Sequence, residues 1–143
     1  MKTRGIRILG TALSVLLLAG GNTYASNDEN EKLTVYDQVF VKDGDKCWFV
    51  KLSSIRLFES DGNYIKIYFD NLKPMIHKSL NALDEKLDDR SFFRASRKYI
   101  VNLSWVEDIE PWFNGGLMVQ LKGGEKVEVS RRQAARFKEI MSL

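Results

Sequence analysis

Short apolar runs separated by polar, glycine-bearing turns make up the chain from residue 39 onward. Turn signals occur at Asp43-Gly44, Asp61-Gly62-Asn63, Asn114-Gly115-Gly116 and Gly123-Gly124. Runs of this length, rich in Val, Ile, Phe, Tyr and Trp, are typical of antiparallel strands, and glycine accepts the positive φ of tight hairpin turns. The pattern predicts strands at residues 39–42, 47–51, 55–60, 64–69, 73–77, 94–96, 99–102, 106–111, 117–122 and 126–130.

Two segments have helical spacing instead. Residues 79–87 repeat leucine at three- and four-residue intervals after Ser79, a residue type that caps helices well. Residues 132–142 carry apolar side chains among charges, at Ala135, Phe137 and Ile140. The whole pattern therefore predicts a mainly β fold of stacked antiparallel sheets with one or two short helices.

A different pattern occupies the N-terminal segment. Lys2, Arg4 and Arg7 precede an uncharged and mostly apolar run at residues 8–21, and Ala25 provides a small residue for cleavage. This is the order of a secretory signal peptide, and a run of about fourteen residues is shorter than a membrane-spanning helix needs. An export signal is the first interpretation, while an uncleaved membrane tether and a wrongly assigned start of a cytoplasmic protein stay open.

The length of 143 residues suits one domain with a substantial core. We expect residues 1–25 to form the signal-peptide-like or membrane-tether leader and residues 26–37 to form a polar, acidic linker. Residues 38–143 then form the folded domain. The formal net charge of +3 does not by itself indicate nucleic acid, but basic side chains are concentrated in the last third of the chain.

Residue types that carry chemistry are scarce. Cys47 is the only cysteine and His77 the only histidine, which excludes an intramolecular disulfide and a zinc cluster. Cys47 lies in an apolar run and is predicted to be a buried or half-buried strand thiol, and His77 is predicted to be a surface side chain. The chain has no nucleophile elbow, no phosphate-binding glycine loop and no spaced set of metal ligands, so we expect neither an enzyme nor a cofactor or metal.

Two stretches place arginines beside β-branched runs, at residues 92–102 and 127–132. Arginine at a strand exit suits DNA, because its rigid fork of donors matches a guanine edge or a phosphate. The residues alone leave other interpretations open, namely a solvated basic loop in the first stretch and a helix start capped by Ser130 in the second. Asn102 ends a β run and is predicted to hydrogen-bond a local turn.

The two stretches and Glu59 to Tyr64 together resemble the LytTR DNA-binding domain, the output module of many bacterial response regulators. The resemblance covers roughly Gln38 to Leu143. It implies a LytTR-like elongated β-β-β sandwich that binds double-stranded DNA sequence-specifically as a cytoplasmic transcription regulator. It also implies paired direct repeats as the target and a homodimer on DNA.

The resemblance implies DNA-contacting residues in three sets. The first set is Asn63, Tyr64 and Lys66, the second set is Ser96, Arg97 and Lys98, and the third set is Ser130, Arg131 and Arg132. Asn63 would pair with an adenine edge and Lys66 with phosphate, while the second set would approach the backbone or minor groove. Arg132 would read bases in the major groove, with phosphate contacts from Ser130 and Arg131.

A rival function comes from the N-terminal segment. An exported or membrane-tethered β module would bind protein or envelope partners and would not use DNA. The residues alone also leave the first set open as a hairpin turn with Tyr64 as a strand residue. Trp112 and Phe113 are predicted to be core or sheet-face residues, and an exposed pair that contacts a partner is the open alternative. The two hypotheses differ in whether a mature chain starting at Ser26 is found outside the cytoplasm.

Overall fold

The computed structural model describes residues 31–142, so the predicted leader at residues 1–25 lies outside the described residues. The compact unit that the structure describes begins at Leu33. Residues 33–37, which the sequence places in the linker, belong to this unit, and Leu52 N–H donates to Asp37 O at 2.9 Å. No helix within residues 31–142 is long and apolar enough to cross a membrane.

Strands dominate the described part of the chain. They are β1 (Gln38–Asp43), β2 (Lys46–Lys51), β3 (Ile55–Asp61), β4 (Tyr64–Phe69), β5 (Met75–His77), β6 (Phe92–Arg94), β7 (Tyr99–Asn102), β8 (Val106–Pro111), β9 (Leu117–Leu121) and β10 (Lys126–Val129). Two short α-helices accompany them, α1 (Leu80–Lys86) and α2 (Arg131–Met141).

The strands pair antiparallel in three sheets. The hairpin sheet contains β1 and β2, the central sheet has the order β5-β4-β3-β7-β6, and the third sheet has the order β10-β9-β8. Gly44 and Gly62 close the β1–β2 and β3–β4 hairpins with φ of 63° and 64°, a conformation that glycine adopts without steric cost. The predicted glycine turns at these two positions are therefore confirmed.

Two apolar cores lie on opposite faces of the central sheet. Phe58 and Ile100 pack with the hairpin sheet and α1 in one core, and Leu57 and Val101 pack with the third sheet and α2 in the other. Neighbouring residues of a strand point to opposite faces, so Leu57 and Phe58 enter different cores. The layers are hairpin sheet, central sheet and third sheet, which confirms the predicted mainly β fold of stacked antiparallel sheets with two short helices.

Most predicted strands agree with the structure to within one residue at each end, but the strand expected at residues 94–96 is displaced. It runs instead over Phe92–Arg94, where Phe92 pairs with Asn102 and Phe93 with Val101. Both phenylalanines are buried, Phe92 in one core and Phe93 in the other. Apolar burial on both faces of the central sheet decides the register, and the loop therefore begins at Ala95.

One burial prediction is wrong, and α2 buries only Phe137 of the three apolar residues that mark this helix in the sequence. Cys47 is exposed, because it pairs with Lys42 on the outer side of the hairpin sheet while Val41 and Trp48 turn toward the core. In α2, Ala134 and Phe137 are the buried side chains, whereas Ala135 and Ile140 are exposed. The contact between Phe93 and Phe137, whose ring centres lie 5.1 Å apart, decides which face of α2 is buried.

Candidate nucleic-acid interface

The second set lies in the loop between β6 and β7, and Arg94 holds this loop in shape. Arg94 Nε donates to Ser96 O at 2.6 Å and Nη2 donates to Arg97 O at 3.1 Å. The planar fork of a guanidinium group suits two carbonyls at once. Ser96 Oγ accepts from the Lys98 N–H at 3.1 Å. With the loop braced in this way, Arg97 and Lys98 are exposed to solvent.

The third set stands at the start of α2. Ser130 Oγ accepts from the Gln133 N–H at 3.4 Å, so the helix start capped by Ser130 is confirmed. The Ser130 N–H donates to Ala95 O at 3.1 Å, and Gln133 Nε2 donates to Arg94 O at 2.9 Å. These two bonds fasten the start of α2 to the loop of the second set.

A surface groove joins the second and third sets. Five predicted site residues line it, namely Ser96, Arg97, Lys98, Ser130 and Arg132. The remaining lining residues are Asn81, Asp84, Arg94, Gln133, Ala135, Arg136 and Glu139. The groove therefore carries five cationic side chains and two carboxylates, an excess that attracts phosphate groups.

Arg131 belongs to another part of the surface. It does not line the groove, and a Cβ atom at Gly115 would lie 3.3 Å from Arg131 Cγ, so its side chain lies over the β8–β9 loop. Successive helix residues point about 100° apart, which separates Arg131 from Arg132 although they are neighbours in sequence. The structure thus brings Arg132 to the second set and leaves Arg131 beside Gly115.

The first set lies at the β3–β4 hairpin, outside the groove. Asn63 and Tyr64 are exposed at the turn, and the ring of Tyr64 meets the ring of His77 edge-on at 5.2 Å. Lys66 is half-buried, and its Nζ lies 3.4 Å from Asp61 Oδ2. His77 itself is exposed, as the sequence predicts.

Glu59 connects the first set to the second. In the central sheet it stands between Lys66 on β4 and Tyr99 on β7. Its carboxylate accepts from Tyr68 Oη at 2.6 Å and lies 3.6 Å from Lys98 Nζ. The neighbouring Ser60 N–H donates to Lys98 O at 2.8 Å. The β3 end of the first hairpin is therefore bonded to the loop that carries the second set.

The hydrogen bond from Tyr68 to Glu59 leaves a neutral phenol beside a carboxylate. Burial raises the pKa of the Tyr68 phenol well above its ordinary value of 10.0, and the hydrogen bond and charge of Glu59 raise it further. Tyr68 therefore remains a proton donor at neutral pH. Glu59 also keeps an oxygen 3.6 Å from Lys98 Nζ, whose side chain stays largely exposed.

Three supporting residues escape a reading of the sequence alone: Glu59, Arg94 and Gln133. Arg94 has the same signal as Arg97, a basic residue in a basic stretch, yet its donors are used on the protein's own carbonyls. Gln133 is a plain helix residue whose partner lies on β6. Contacts with distant segments mark Glu59 and Gln133, and hydrogen bonds within its own loop mark Arg94.

Asn102 and the two aromatic residues after β8 have clear positions. Asn102 Oδ1 accepts from the Ser104 N–H at 3.0 Å, so the predicted bond to a local turn is confirmed. Trp112 is half-buried and Phe113 is 72% exposed, with ring centres 5.0 Å apart. Of this pair, only Phe113 is a true surface residue.

A β sandwich that presents cationic loops and a helix start at its surface has the architecture of a nucleic-acid-binding domain. Comparison with known families gives the particular class. Residues 45–142 match the LytTr DNA-binding domain, and the chain belongs to this family. The resemblance found in the three motifs is therefore confirmed, and DNA binding is favoured over the rival exported module.

Relatives of known description agree with this family. The chain is 30% identical over 113 residues to the sensory transduction protein LytT of Enterococcus faecalis (strain ATCC 700802 / V583), covering 79% of the chain and 47% of the relative. It is 29% identical over 120 residues to the transcriptional regulatory protein LytR of Staphylococcus aureus (strain N315), covering 83% and 49%. The chain spans about half the length of these curated relatives.

A solved structure has the same fold. The LytTr DNA-binding domain of a response regulator from Bacillus cereus matches with a TM-score of 0.68 and 24% identity, covering 74% of this chain and 97% of that one. The stacked-sheet fold is therefore that of a LytTr domain.

Proposed function

We propose that this chain acts in the cytoplasm as a transcription regulator that binds double-stranded DNA sequence-specifically and catalyses no reaction. The observation that carries the proposal is the groove lined by residues of the second and third sets. The hydrogen bond from Ser130 N–H to Ala95 O at 3.1 Å holds these two sets together. The cationic side chains of the groove are carried by the loop that Arg94 holds and by the helix that Ser130 caps. DNA binding would therefore have to order few additional side chains.

The phosphate contacts fall to exposed cations, two of them in the groove and Arg131 outside it beside Gly115. Arg97, Lys98 and Arg131 would supply most of the salt-sensitive affinity, because each neutralised phosphate releases counterions. Ser96 and Ser130 would donate hydrogen bonds to the same backbone, and Lys66 would contact phosphate beside the β3–β4 hairpin.

The DNA bases would be recognised by exposed side chains that can form specific hydrogen bonds with base edges. Arg132 would donate two hydrogen bonds to a guanine edge in the major groove, and Asn63 would pair with an adenine edge. Tyr64, at the same hairpin, is exposed enough to assist Asn63. The target would be a pair of direct repeats occupied by two copies of the chain.

The test begins with selection of a cognate duplex from random sequences. Replacement of Arg132 by alanine should weaken binding to that duplex by about 1 to 3 kcal/mol and should change binding to a scrambled duplex much less. Lys122→Ala is the control, because Lys122 is exposed in the β9–β10 turn, at the end of the third sheet remote from α2. It should leave discrimination unchanged.

The same assay separates the two kinds of contact. Lys98→Ala should weaken binding to both duplexes alike and should lower the slope of log affinity against log salt by about one. Equal losses on cognate and scrambled DNA for Arg132→Ala would remove its base-reading role. Recovery from the native host of a mature chain starting at Ser26, outside the cytoplasm, would instead support the rival exported module.

A further inference from the structure

The outer side of the hairpin sheet exposes an aromatic pair between lysines. Phe40 and Phe49 are cross-strand partners and are 65% and 45% exposed. Lys42 and Lys51 stand on the same side, because side chains alternate between the two faces along each strand. No ion pair within residues 31–142 involves either lysine. A large exposed apolar pair flanked by unpaired cations is typical of a docking surface.

The outer side of the third sheet has the opposite charge. Asp108 on β8 faces Gln120 on β9, and Glu110 faces Met118, whose other neighbour is Glu128 on β10. All three carboxylates are exposed, and none of them makes an ion pair with another described residue. Lys126 is the one opposing charge on this side of the sheet's described strands. The surface is therefore acidic, with Met118 near its centre.

The two surfaces face away from each other. The hairpin sheet and the third sheet cover opposite faces of the central sheet, as the two separate cores require. One molecule thus presents a cationic aromatic face on one side and an acidic face on the other. Neither surface includes a residue that lines the groove.

We propose that copies of this chain associate head-to-tail, with the outer side of the hairpin sheet of one copy against the outer side of the third sheet of the next. Lys42 and Lys51 pair with Glu110 and Glu128, and Phe40 and Phe49 cover Met118. A second copy through the same hairpin face is disfavoured because it would bring lysines against lysines. A head-to-tail contact uses two different surfaces, so it also allows chains longer than a dimer.

Charge reversal on each surface tests this interface in the absence of DNA. Variant A carries Lys42→Glu and Lys51→Glu, and variant B carries Glu110→Lys and Glu128→Lys. Sedimentation equilibrium of the full chain, at concentrations up to about 1 mM, should show salt-sensitive self-association of the wild type. Variant A and variant B alone should each associate about tenfold or more weakly.

Restoration is the decisive measurement. An equimolar mixture of variants A and B should associate again, and so should one chain that carries all four substitutions. The control variant Lys46→Glu/Lys122→Glu changes as many charges outside the two surfaces and should behave as wild type. Circular dichroism of every variant checks that the fold is kept.

Three results would overturn the proposal. A wild type that stays monomeric over the whole range would exclude the interface. Loss of association in variant A but not in variant B would place the hairpin face against something other than the third sheet. Failure of the mixture to associate, with both variants folded, would show that the two surfaces do not meet. None of these results bears on DNA binding by the groove, which is measured separately.

Discussion

Asn102 is a buried polar side chain whose amide nitrogen and amide oxygen both have hydrogen-bond partners. It is fully buried, and its Nδ2 donates to Ile55 O at 2.9 Å and to Leu52 O at 3.3 Å. Its Oδ1 accepts from the N–H and Oγ of Ser104 at 3.0 and 2.8 Å. One amide thereby joins the end of β7 to the turns before β3 and β8, where backbone groups have no strand partner.

Replacement of Asn102 by leucine should lower the free energy of unfolding by about 2 to 3 kcal/mol, because it removes the buried hydrogen bonds to Leu52 O and Ile55 O. Urea denaturation measures this change. Asn71→Leu is the matched control, since Asn71 is exposed, and it should change stability by less than about 0.5 kcal/mol. A similar small loss at both positions would contradict the role given to Asn102.

At the scale of elements, α2 links stability to the candidate interface. Only Ala134 and Phe137 are buried in this helix, so its attachment depends on few apolar contacts. The cap at Ser130 and the bonds to Ala95 O and Arg94 O fix where the helix begins. Arg132 therefore depends on the first turn of α2 for its position.

Ser130→Ala should lower the free energy of unfolding by about 1 kcal/mol through loss of the cap, and should also weaken DNA binding. Ser79→Ala removes the corresponding cap of α1, where Ser79 Oγ accepts from the Ala82 N–H at 3.1 Å. It should cost similar stability and weaken DNA binding less, because α1 contributes Asn81 and Asp84 to the groove but no candidate DNA contact. Ser130→Asp should keep the cap and stability but weaken DNA binding, because it adds a negative charge beside phosphate. If both serine-to-alanine variants bind DNA equally well, the cap does not position the interface.

At the scale of the whole molecule, one ion pair joins the central sheet to the third sheet. Arg56 on β3 donates from Nη2 to Glu125 Oε2 at 2.6 Å and from Nε to Glu125 Oε1 at 3.0 Å. Arg56 Nη1 also donates to Asp70 O at 3.0 Å, and its guanidinium lies 5.8 Å from the centre of the Trp105 ring. A bidentate pair with little exposure has more effect than an ordinary surface ion pair.

The Arg56 hydrogen bond lowers the pKa of Glu125 below its ordinary value of 4.5, against the opposing effect of burial. A lowered folded-state pKa stabilises the fold at pH values above the ordinary one, and this contribution disappears as pH falls through the folded value. Glu125→Gln should therefore cost about 1 to 3 kcal/mol at pH 7 and progressively less in acid. Chemical denaturation across pH checks this, with the exposed Glu107→Gln as control. A pH-independent difference between wild type and Glu125→Gln would exclude the ion pair as its cause.

Local pattern explains why so much of the fold is predictable from this sequence. Alternating apolar residues mark a strand and glycine marks its turn, so Tyr64–Phe69, Tyr99–Asn102 and Val106–Pro111 are found at the predicted residues. The failures share one cause. Cys47 and the displaced strand at Phe92–Arg94 both depend on which face meets a partner from a distant segment, and no local pattern contains that information.

Patterns of neighbouring residues were enough to predict most strands, both short helices and the family motifs, while the resemblance to the family implied the three sets of candidate DNA contacts. The sequence did not reveal that Arg132 lines one groove with Arg97 and Lys98 while Arg131 lies over Gly115, and this placement is known from the tertiary structure. The structure also shows that Arg94 donates its hydrogen bonds to the carbonyls of Ser96 and Arg97 and so supports the β6–β7 loop. The physical reason is that helix phase and hydrogen bonds to backbone carbonyls set the direction in which a basic side chain points, and residue type alone reveals neither.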